Sequence, residues 1–412
     1  MARRRTTTRR GRALGPALAV AAVLSAAGQV RADVPPLAWR PATQSPRVTQ
    51  TDPRLAAQLA ACLEIPRRQS GDLIEGGQLR GAADAALAEV AARTARRQIE
   101  GGSLLHADEL AFHLRASGDP HVWPRAWSIT GGGLDDEDVA RRIKAWTAPW
   151  NTLGVRRCGI SRIPGPDGNT VIAVVAIDAL ADLSPLPTVA RVGQWLTLDG
   201  SMLVPASDAK VVLLGPRGAP RTVPASLSGD RIHASFSVDQ PGAWVIQVLA
   251  TVSTGPRPVL EAMVYAGTTP PTQFVAAAAP GESAAQGAKD DDDGMLRMIN
   301  AARATEQQRP LLRDGMLDKI ARAHSEEMLK ARLVGHDVGT GDPSVRLRAA
   351  GVSAHVAGEN VATANSLENA HRALWSSPSH RGNMLLDQFT HVGVAVVRAA
   401  DGMVWVTEMF SG

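Results

Sequence analysis

Six of the ten histidines in this 412-residue chain fall late in the sequence, at His324, His336, His355, His371, His380 and His391. Glu359 sits among them in Gly358-Glu359-Asn360. Imidazoles and carboxylates can move protons, orient one another, or ligate divalent metals. The spacing matches no metal motif, because His355 to Glu359 reads H-x-x-x-E rather than H-E-x-x-H, and there is no cysteine cluster. Ligation of zinc or another divalent metal, with His336 and Glu359 as the donors, would depend on the fold to bring the groups together. No G-x-S-x-G nucleophile motif occurs. Each residue also has a structural role open to it. His324 shares an apolar helical stripe with Leu317, Ile320, Ala321 and Met328, where a packed histidine bonded to backbone is expected. His371 and His380 flank a helix end and could cap it. Glu359 could accept from loop amides.

The elements that must position these groups follow from pattern. Ser366 can cap a helix carrying Leu367, Ala370, Leu374 and Trp375, which Pro378 ends. His391 to Val397 and Met403 to Phe410 alternate, joined across Asp401-Gly402, a hairpin signal. Earlier, from about residue 50 to 150, stripes such as Leu87, Val90, Ala91 and Thr94 predict helices. Gly159 to Ser161 and Thr170 to Ile177 then read as strands around a Pro/Gly/Asp turn. Between about 186 and 267, short runs separated by turns predict six or seven strands, a small β-sandwich of immunoglobulin-like shape without catalytic residues. From 268 the composition falls to Thr, Pro, Ala and Gly, then Asp290 to Asp293, which lack the spaced ligands of a calcium loop. The expected organisation is an α+β domain over 33–184, the sandwich over 185–268, a flexible linker over 269–294 and a second α+β domain over 295–412.

The basic balance is confined to one end. The first 32 residues hold seven arginines and no acids; the rest has 37 basic against 40 acidic residues, a net charge of −3. Nucleic-acid binding by bulk charge is therefore unsupported. The arginines precede an apolar run, Ala13 to Ala27, too short to span a bilayer, and then Val30-Arg31-Ala32. This is the pattern of a secretory signal peptide over 1–32, cleaved after Ala32, and implies export to a periplasm or beyond the cell. No later run is long and apolar enough to span a membrane. In an oxidising compartment Cys62 and Cys158 could pair, or they could be two separate buried thiols.

The two α+β blocks share short strings. Leu114-Arg115-Ala116-Ser117-Gly118 parallels Leu347-Arg348-Ala349-Ala350-Gly351, and His121-Val122 parallels His355-Val356. Gly159 and Asp167-Gly168 have the same spacing as Gly393 and Asp401-Gly402. A duplicated domain explains this; two unrelated domains with chance matches remain the alternative.

Six ordered motifs run through the last block: Met298-Ile299-Asn300-Ala301-Ala302-Arg303, Ala323-His324-Ser325-Glu326-Glu327-Met328, Gly335-His336, Ala357-Gly358-Glu359-Asn360-Val361-Ala362, Ser377-Pro378-Ser379-His380-Arg381-Gly382-Asn383-Met384-Leu385 and Phe389-Thr390-His391-Val392-Gly393-Val394. In them the block resembles the CAP superfamily, also called SCP or pathogenesis-related-1-like, in its bacterial form. The resemblance implies a three-layer α-β-α sandwich with a central cleft, which in eukaryotic members is lined by two His and two Glu. His336 and Glu359 occupy the first His and first Glu positions. The second Glu falls near Ser377 and the second His near Gln388, so His380 or His391 would have to substitute. By the same resemblance the first block is a degenerate copy, with Arg125 at the Glu359 position and His106 parallel to His336. The resemblance implies an extracellular role: a cleft formed by His336, Glu359, His380 and His391 that binds an envelope lipid or polymer. The alternatives are a His/Glu-dependent hydrolase with His336 or His391 as base, and a structural or adhesive envelope protein.

Overall fold

Aspartates set most of the helix starts. The computed structural model describes residues 37–43, 52–64, 82–105, 107–150 and 152–412; the segment 1–32 expected as a signal peptide and His106 lie outside these. The first block contains α1 (Pro53–Leu63), β1 (Ala82–Ala83), α2 (Ala85–Ile99), α3 (Ala107–Ala116), β2 (Arg125–Gly131), α4 (Asp136–Thr147), β3 (Val155–Pro164) and β4 (Thr170–Ala179). The Asp84 carboxylate accepts from Leu87 N at the start of α2, and Asp135 accepts from Asp138 N at the start of α4. Such caps satisfy backbone donors that the helix itself cannot.

The middle block is all strand: β5 (Ala181–Leu183), β6 (Val189–Ala190), β7 (Gln194–Met202), β8 (Asp208–Leu214), β9 (Arg221–Pro224), β10 (Ser226–Ser228), β11 (Arg231–Val238), β12 (Gly242–Val252) and β13 (Gly255–Ala266). One sheet has the order β10-β11-β7-β5 and the other β6-β13-β12-β8-β9. Leu198 and Phe236 of the first share one core with Val211, Ile246 and Val264 of the second.

The last block contains α5 (Asp291–Thr305), β14 (Leu312–Arg313), α6 (Gly315–Ala331), α7 (Pro343–Ala349), β15 (Ala357–Ala364), α8 (Leu367–Ser376), α9 (Pro378–Leu385), β16 (His391–Arg398) and β17 (Val404–Ser411). Its sheet runs β14-β16-β17-β15, with β14 parallel to β16 and the other pairs antiparallel. Because side chains alternate across a strand, Ala395 and Met409 meet α6 and α7 on one face, while Val392, Val394 and Phe410 meet α5, α8 and α9 on the other. The result is three layers, α-β-α.

The stretch 269–294, expected as a flexible linker, ends in ordered structure. Asp290 caps α5 by accepting from Asp293 N at 2.8 Å, and Asp291 to Asp293 form its first turn. Carboxylates there face the positive end of the helix dipole. Asp292 also accepts from Arg322 and from Val396 N. Upstream, Glu282 pairs with Arg372 of α8 at 2.7 Å. Composition alone gives a solvated acidic run; its place just ahead of an apolar helical stripe makes it a helix start.

Pro378 ends α8, as expected, and also opens α9, since proline fits the first turn of a helix.

The first sheet has the same strand order as the last. It runs β1-β3-β4-β2, again with one parallel pair at the β1 edge. Helices α2 and α6 lie so close to their sheets that a Cβ on Gly159 would fall 2.1 Å from the Leu87 carbonyl carbon. One on Gly393 would fall 2.1 Å from that of Leu317. Ladder register refines the comparison: Ala126 opposes Val175 and Gly159 opposes Val175, as Glu359 and Gly393 both oppose Met409. Ala126, not Arg125, therefore takes the Glu359 position. Among the described residues the first block has no counterpart of α9.

Cys62 and Cys158 form a disulfide between α1 and β3. Where the first block meets β5, His121 is fully enclosed, with Nδ1 at 2.7 Å from Asp119 and Nε2 at 3.0 Å from the Ala181 carbonyl. Burial alone would lower its pKa, but the Asp119 charge and hydrogen bonds to Asp119 and Asp182 outweigh this and the repulsion from Arg157, raising it to about 9. A raised folded pKa gives stability that is complete below the ordinary value and lost as pH climbs through about 9. The melting temperature should therefore fall between pH ~7 and ~10, and the fall should be smaller in Asp119→Asn. A wild-type profile flat over that window would refute the assignment.

Candidate functional site

Strand β15 presents its Glu-Asn pair to opposite faces of the sheet. Glu359 points to the α6–α7 side, and Asn360 to the α8–α9 side. The loop after α6 brings His336 to Glu359, with Nδ1 2.8 Å from Oε1. Helix α7, capped by Asp342, brings Arg346, whose guanidinium takes Oε2 at 2.7 Å and Oε1 at 3.0 Å. Arg346 also donates to the backbone carbonyls of His336 at 2.8 Å and Gly341 at 3.2 Å, tying the loop to the helix. The Glu359 side chain is fully buried, Arg346 nearly so, and His336 is 25 % exposed.

The charges follow from these contacts. Burial alone would raise the Glu359 pKa; the hydrogen bonds from His336 and Arg346, with the Arg346 charge, overcome it and hold the carboxyl below its ordinary range. An ionised carboxylate only accepts, so His336 carries its proton on Nδ1 and leaves Nε2 for another partner. His324 lies behind them, 3.8 Å from Glu359, with Nε2 2.9 Å from the Gly335 carbonyl. It is the packed, backbone-bonded histidine expected from its stripe, and burial lowers its pKa.

On the other face Asn360 organises α9. Its amide donates to the His380 carbonyl at 3.0 Å and to Glu408 Oε2 at 2.8 Å, and its oxygen accepts from Asn383 at 2.9 Å. Asn383 also donates to the Glu359 backbone carbonyl at 3.2 Å, which ties α9 to β15 at the Glu-Asn pair. Burial pushes the Glu408 carboxyl up to about 8, against the partial offset of Asn360, and makes it a neutral acid near pH 7. The His380 ring contacts Ser377 Oγ at 2.9 Å through Nδ1. Burial, then repulsion from His336, pushes its pKa down to about 3.

The middle block reaches the same helix. Gln247 of β12, 1 % exposed, accepts from Ser379 N at 3.2 Å and donates to Ser377 Oγ at 3.4 Å. The same amide nitrogen donates to Glu261 at 2.9 Å, and Glu261 pairs with Arg115 of α3. A line of polar contacts thus runs from the first block to the start of α9.

Of the four expected site residues, the structure joins His336 to Glu359 and sets His380 close enough to His336 for the two imidazoles to influence each other. His391 stands apart. It pairs with Ser411 on β17, which separates β16 from β15, and its ring contacts Thr390 Oγ1 at 2.9 Å. Two strand spacings, about 10 Å, lie between it and β15. Arg346, Glu408 and Gln247 were not singled out in the sequence. Arg346 gives no local signal, since Ser344-Val345-Arg346-Leu347 reads as an ordinary surface helix. The donor set at Glu359 also fits a divalent metal poorly: both oxygens already face the Arg346 guanidinium, which a cation would have to displace. Among the described residues no group of three His, Cys, Asp or Glu is arranged to hold a metal ion.

Comparison with known proteins adds the family. Residues 296–410 match the CAP family model, described as the cysteine-rich secretory protein family. Over 120 residues the chain is 35 % identical to the uncharacterized protein YkwD of Bacillus subtilis strain 168, covering 29 % of this chain and 46 % of that one. The chain thus spans less than half the length of that curated relative. Among solved structures, an extracellular protein with an SCP domain from Bacillus anthracis strain Ames aligns at 17 % identity over 56 % of this chain and 87 % of its own, with a TM-score of 0.28. A cysteine-rich secretory protein, SAV1118 from Staphylococcus aureus Mu50, aligns at 10 % identity over 65 % of this chain and 90 % of its own, with a TM-score of 0.27. No helix among the described residues is long and apolar enough to cross a membrane. The sequence match and the ordered motifs of the last block make residues 296–410 a CAP domain of bacterial type.

Proposed function

We propose that this is an exported protein whose CAP domain binds an extracellular or envelope ligand, a lipid or a polymer, at the β15 edge of its sheet, where His336 and His380 approach each other from the two sides. One observation carries the reading: Glu359 is buried and fully engaged by Arg346 and His336, so it orients an imidazole and leaves His336 Nε2 as the recognition group. The hydrolase alternative is weaker. Its base would be His336 or His391, yet the imidazole that touches a serine hydroxyl is His380, whose pKa is pushed down to about 3 and which is a poor base near neutral pH. A metal-dependent version would need Arg346 to leave.

In this reading the first block is a degenerate CAP copy. The common strand order, the two tightly packed glycines and the shared turn spacing support it, and Ala126 at the Glu359 position removes the acid. The middle sheets, of immunoglobulin-like shape, present the CAP domain through Gln247. Export is supported by the leader pattern and by the disulfide, which persists in oxidising compartments.

The test uses the mature chain, with its start at Asp33 checked by N-terminal sequencing. The probes are vesicles of phosphatidylethanolamine with phosphatidylglycerol and, separately, purified cell-wall polymer. Cosedimentation with one probe, lost in His336→Ala, supports the reading. Cosedimentation with neither, or an unchanged variant, overturns it. Turnover of a chromogenic ester that disappears in His336→Ala would favour the hydrolase instead.

A further inference from the structure

A second cluster of functional side chains lies away from the CAP domain, where the first block meets the middle one. The sequence Trp123-Pro124-Arg125 follows a backbone bridge between His121 and Leu260, reinforced by Glu261 N donating to the Pro120 carbonyl at 2.7 Å. The bridge lays this segment alongside the start of β13. The Arg257 guanidinium therefore sits over the Trp123 ring, 4.5 Å from its centroid. Arg125 sits over Trp150 at 4.3 Å, with Arg156 at 5.2 Å from the same ring.

The charges in this cluster are unbalanced. The acid that acts on all three arginines is Asp178, and both its oxygens accept from backbone amides, Leu153 N and Gly154 N, each at 2.8 Å. Arg156 is structural: it is buried and donates to the carbonyls of Cys62 and Glu64 and to Thr152. Arg125 and Arg257 differ. Among the described residues neither has an ion-pair partner. Arg257 makes one side-chain bond, to Thr254 at 3.3 Å, and its buried Nε has no partner in the structure. Burial, then repulsion from Arg125 set against the attraction of Asp178, lowers the Arg257 pKa, so the two guanidiniums act on each other.

Trp123 adds a second sign of function. It is 49 % exposed and has a φ of 55°, a left-handed conformation that bulky side chains rarely adopt. Strain of this kind persists where the surroundings impose it, and it collects at ligand sites.

We infer that Arg125, Arg257, Trp123 and Trp150 form a binding site for an anionic saccharide. A guanidinium stacked on an indole keeps its N–H edge free, and that edge matches the paired oxygens of a phosphate or carboxylate. The exposed indole offers a flat apolar face to the C–H side of a sugar ring. Phosphate-bearing and uronic-acid sugars share this chemistry. The site is independent of the His336–Glu359 cluster.

The test is calorimetric titration of the mature full chain, followed in parallel by tryptophan fluorescence. The probes are a hexose phosphate, glucuronate, inorganic phosphate and neutral glucose. At least one charged sugar should saturate and glucose should not; which of the two charged sugars binds tells phosphate from uronate recognition. Arg125→Gln, on an exposed side chain, and Arg257→Gln should each weaken binding at least tenfold while near-UV circular dichroism stays native. Trp123→Ala should weaken the sugar and spare inorganic phosphate. Saturation by neither charged sugar, or affinity unchanged in Arg125→Gln, overturns the site. Inorganic phosphate binding as tightly as the hexose phosphate overturns its saccharide character.

Discussion

Glu359→Ala should lower the stability of the CAP domain by about 3–5 kcal/mol, the usual cost of removing one partner of a buried ion pair. Arg346 would keep its bonds to the His336 and Gly341 carbonyls but lose two to the carboxylate, leaving an enclosed guanidinium without a counter-charge. His336 would lose the acceptor that fixes its ring. Glu359→Gln keeps the shape and one acceptor, so its loss should be smaller, about 1–3 kcal/mol. Denaturant unfolding of the two variants beside wild type decides this. Equal and small losses would mean that the cluster is open to water.

The same cluster sets an acid limit. The Glu359 pKa is depressed on folding, so its contribution is present above the ordinary carboxylate value and disappears as pH falls through the lower folded value. Wild type should therefore lose stability in acid, and Glu359→Gln should lose less over the same range.

Much of this site could be read from sequence. Gly335-His336 and Gly358-Glu359-Asn360 identify two of its members, because each lies in a motif of restricted composition. Arg346 does not, since a helical arginine has the same local pattern whether it faces water or a carboxylate. Only the packing of α7 against β15 decides which. His391 shows the opposite case. It belongs to a recognisable motif and is close in sequence to His380, but β17 lies between its strand and β15. Strand order is a long-range property, and periodicity along a segment does not contain it. Glu408 shows a third limit: its strand is buried on both faces, so no alternation along it separates Glu408 from its neighbours, and the raised pKa comes from that burial in the fold.

The fold was legible in the same uneven way. Ser366 caps α8 as its position implied, and Asp401-Gly402 turns the last hairpin with Gly402 at φ 84°. The four aspartates at 290–293 were misread because composition outweighed position. Pairing of the two cysteines could not be deduced, since α1 and β3 meet only in the folded block.

Cys62→Ala with Cys158→Ala should be the most damaging change outside the CAP domain. The bond closes a span of 96 residues, and the chain-entropy estimate for a loop near that size is about 4.7 kcal/mol. Both sulfurs are fully buried beside Leu59, Val139, Ile143 and Ile160, so replacing the cysteines with alanine also removes packed atoms from that core. The bond also anchors α1, which packs on α4 and β3, and Arg156 fastens the end of that helix through the Cys62 and Glu64 carbonyls. Losing the crosslink should therefore loosen α1 first and leave α2 with β4 more protected. Hydrogen exchange would read this as faster exchange over Pro53–Leu63 than over Ala85–Ile99. Because the sulfurs are enclosed, a reductant should act on the folded wild type only slowly and act quickly once denaturant opens the block. A double variant that unfolds within about 1 kcal/mol of wild type would show that packing of α1, rather than the crosslink, carries the block.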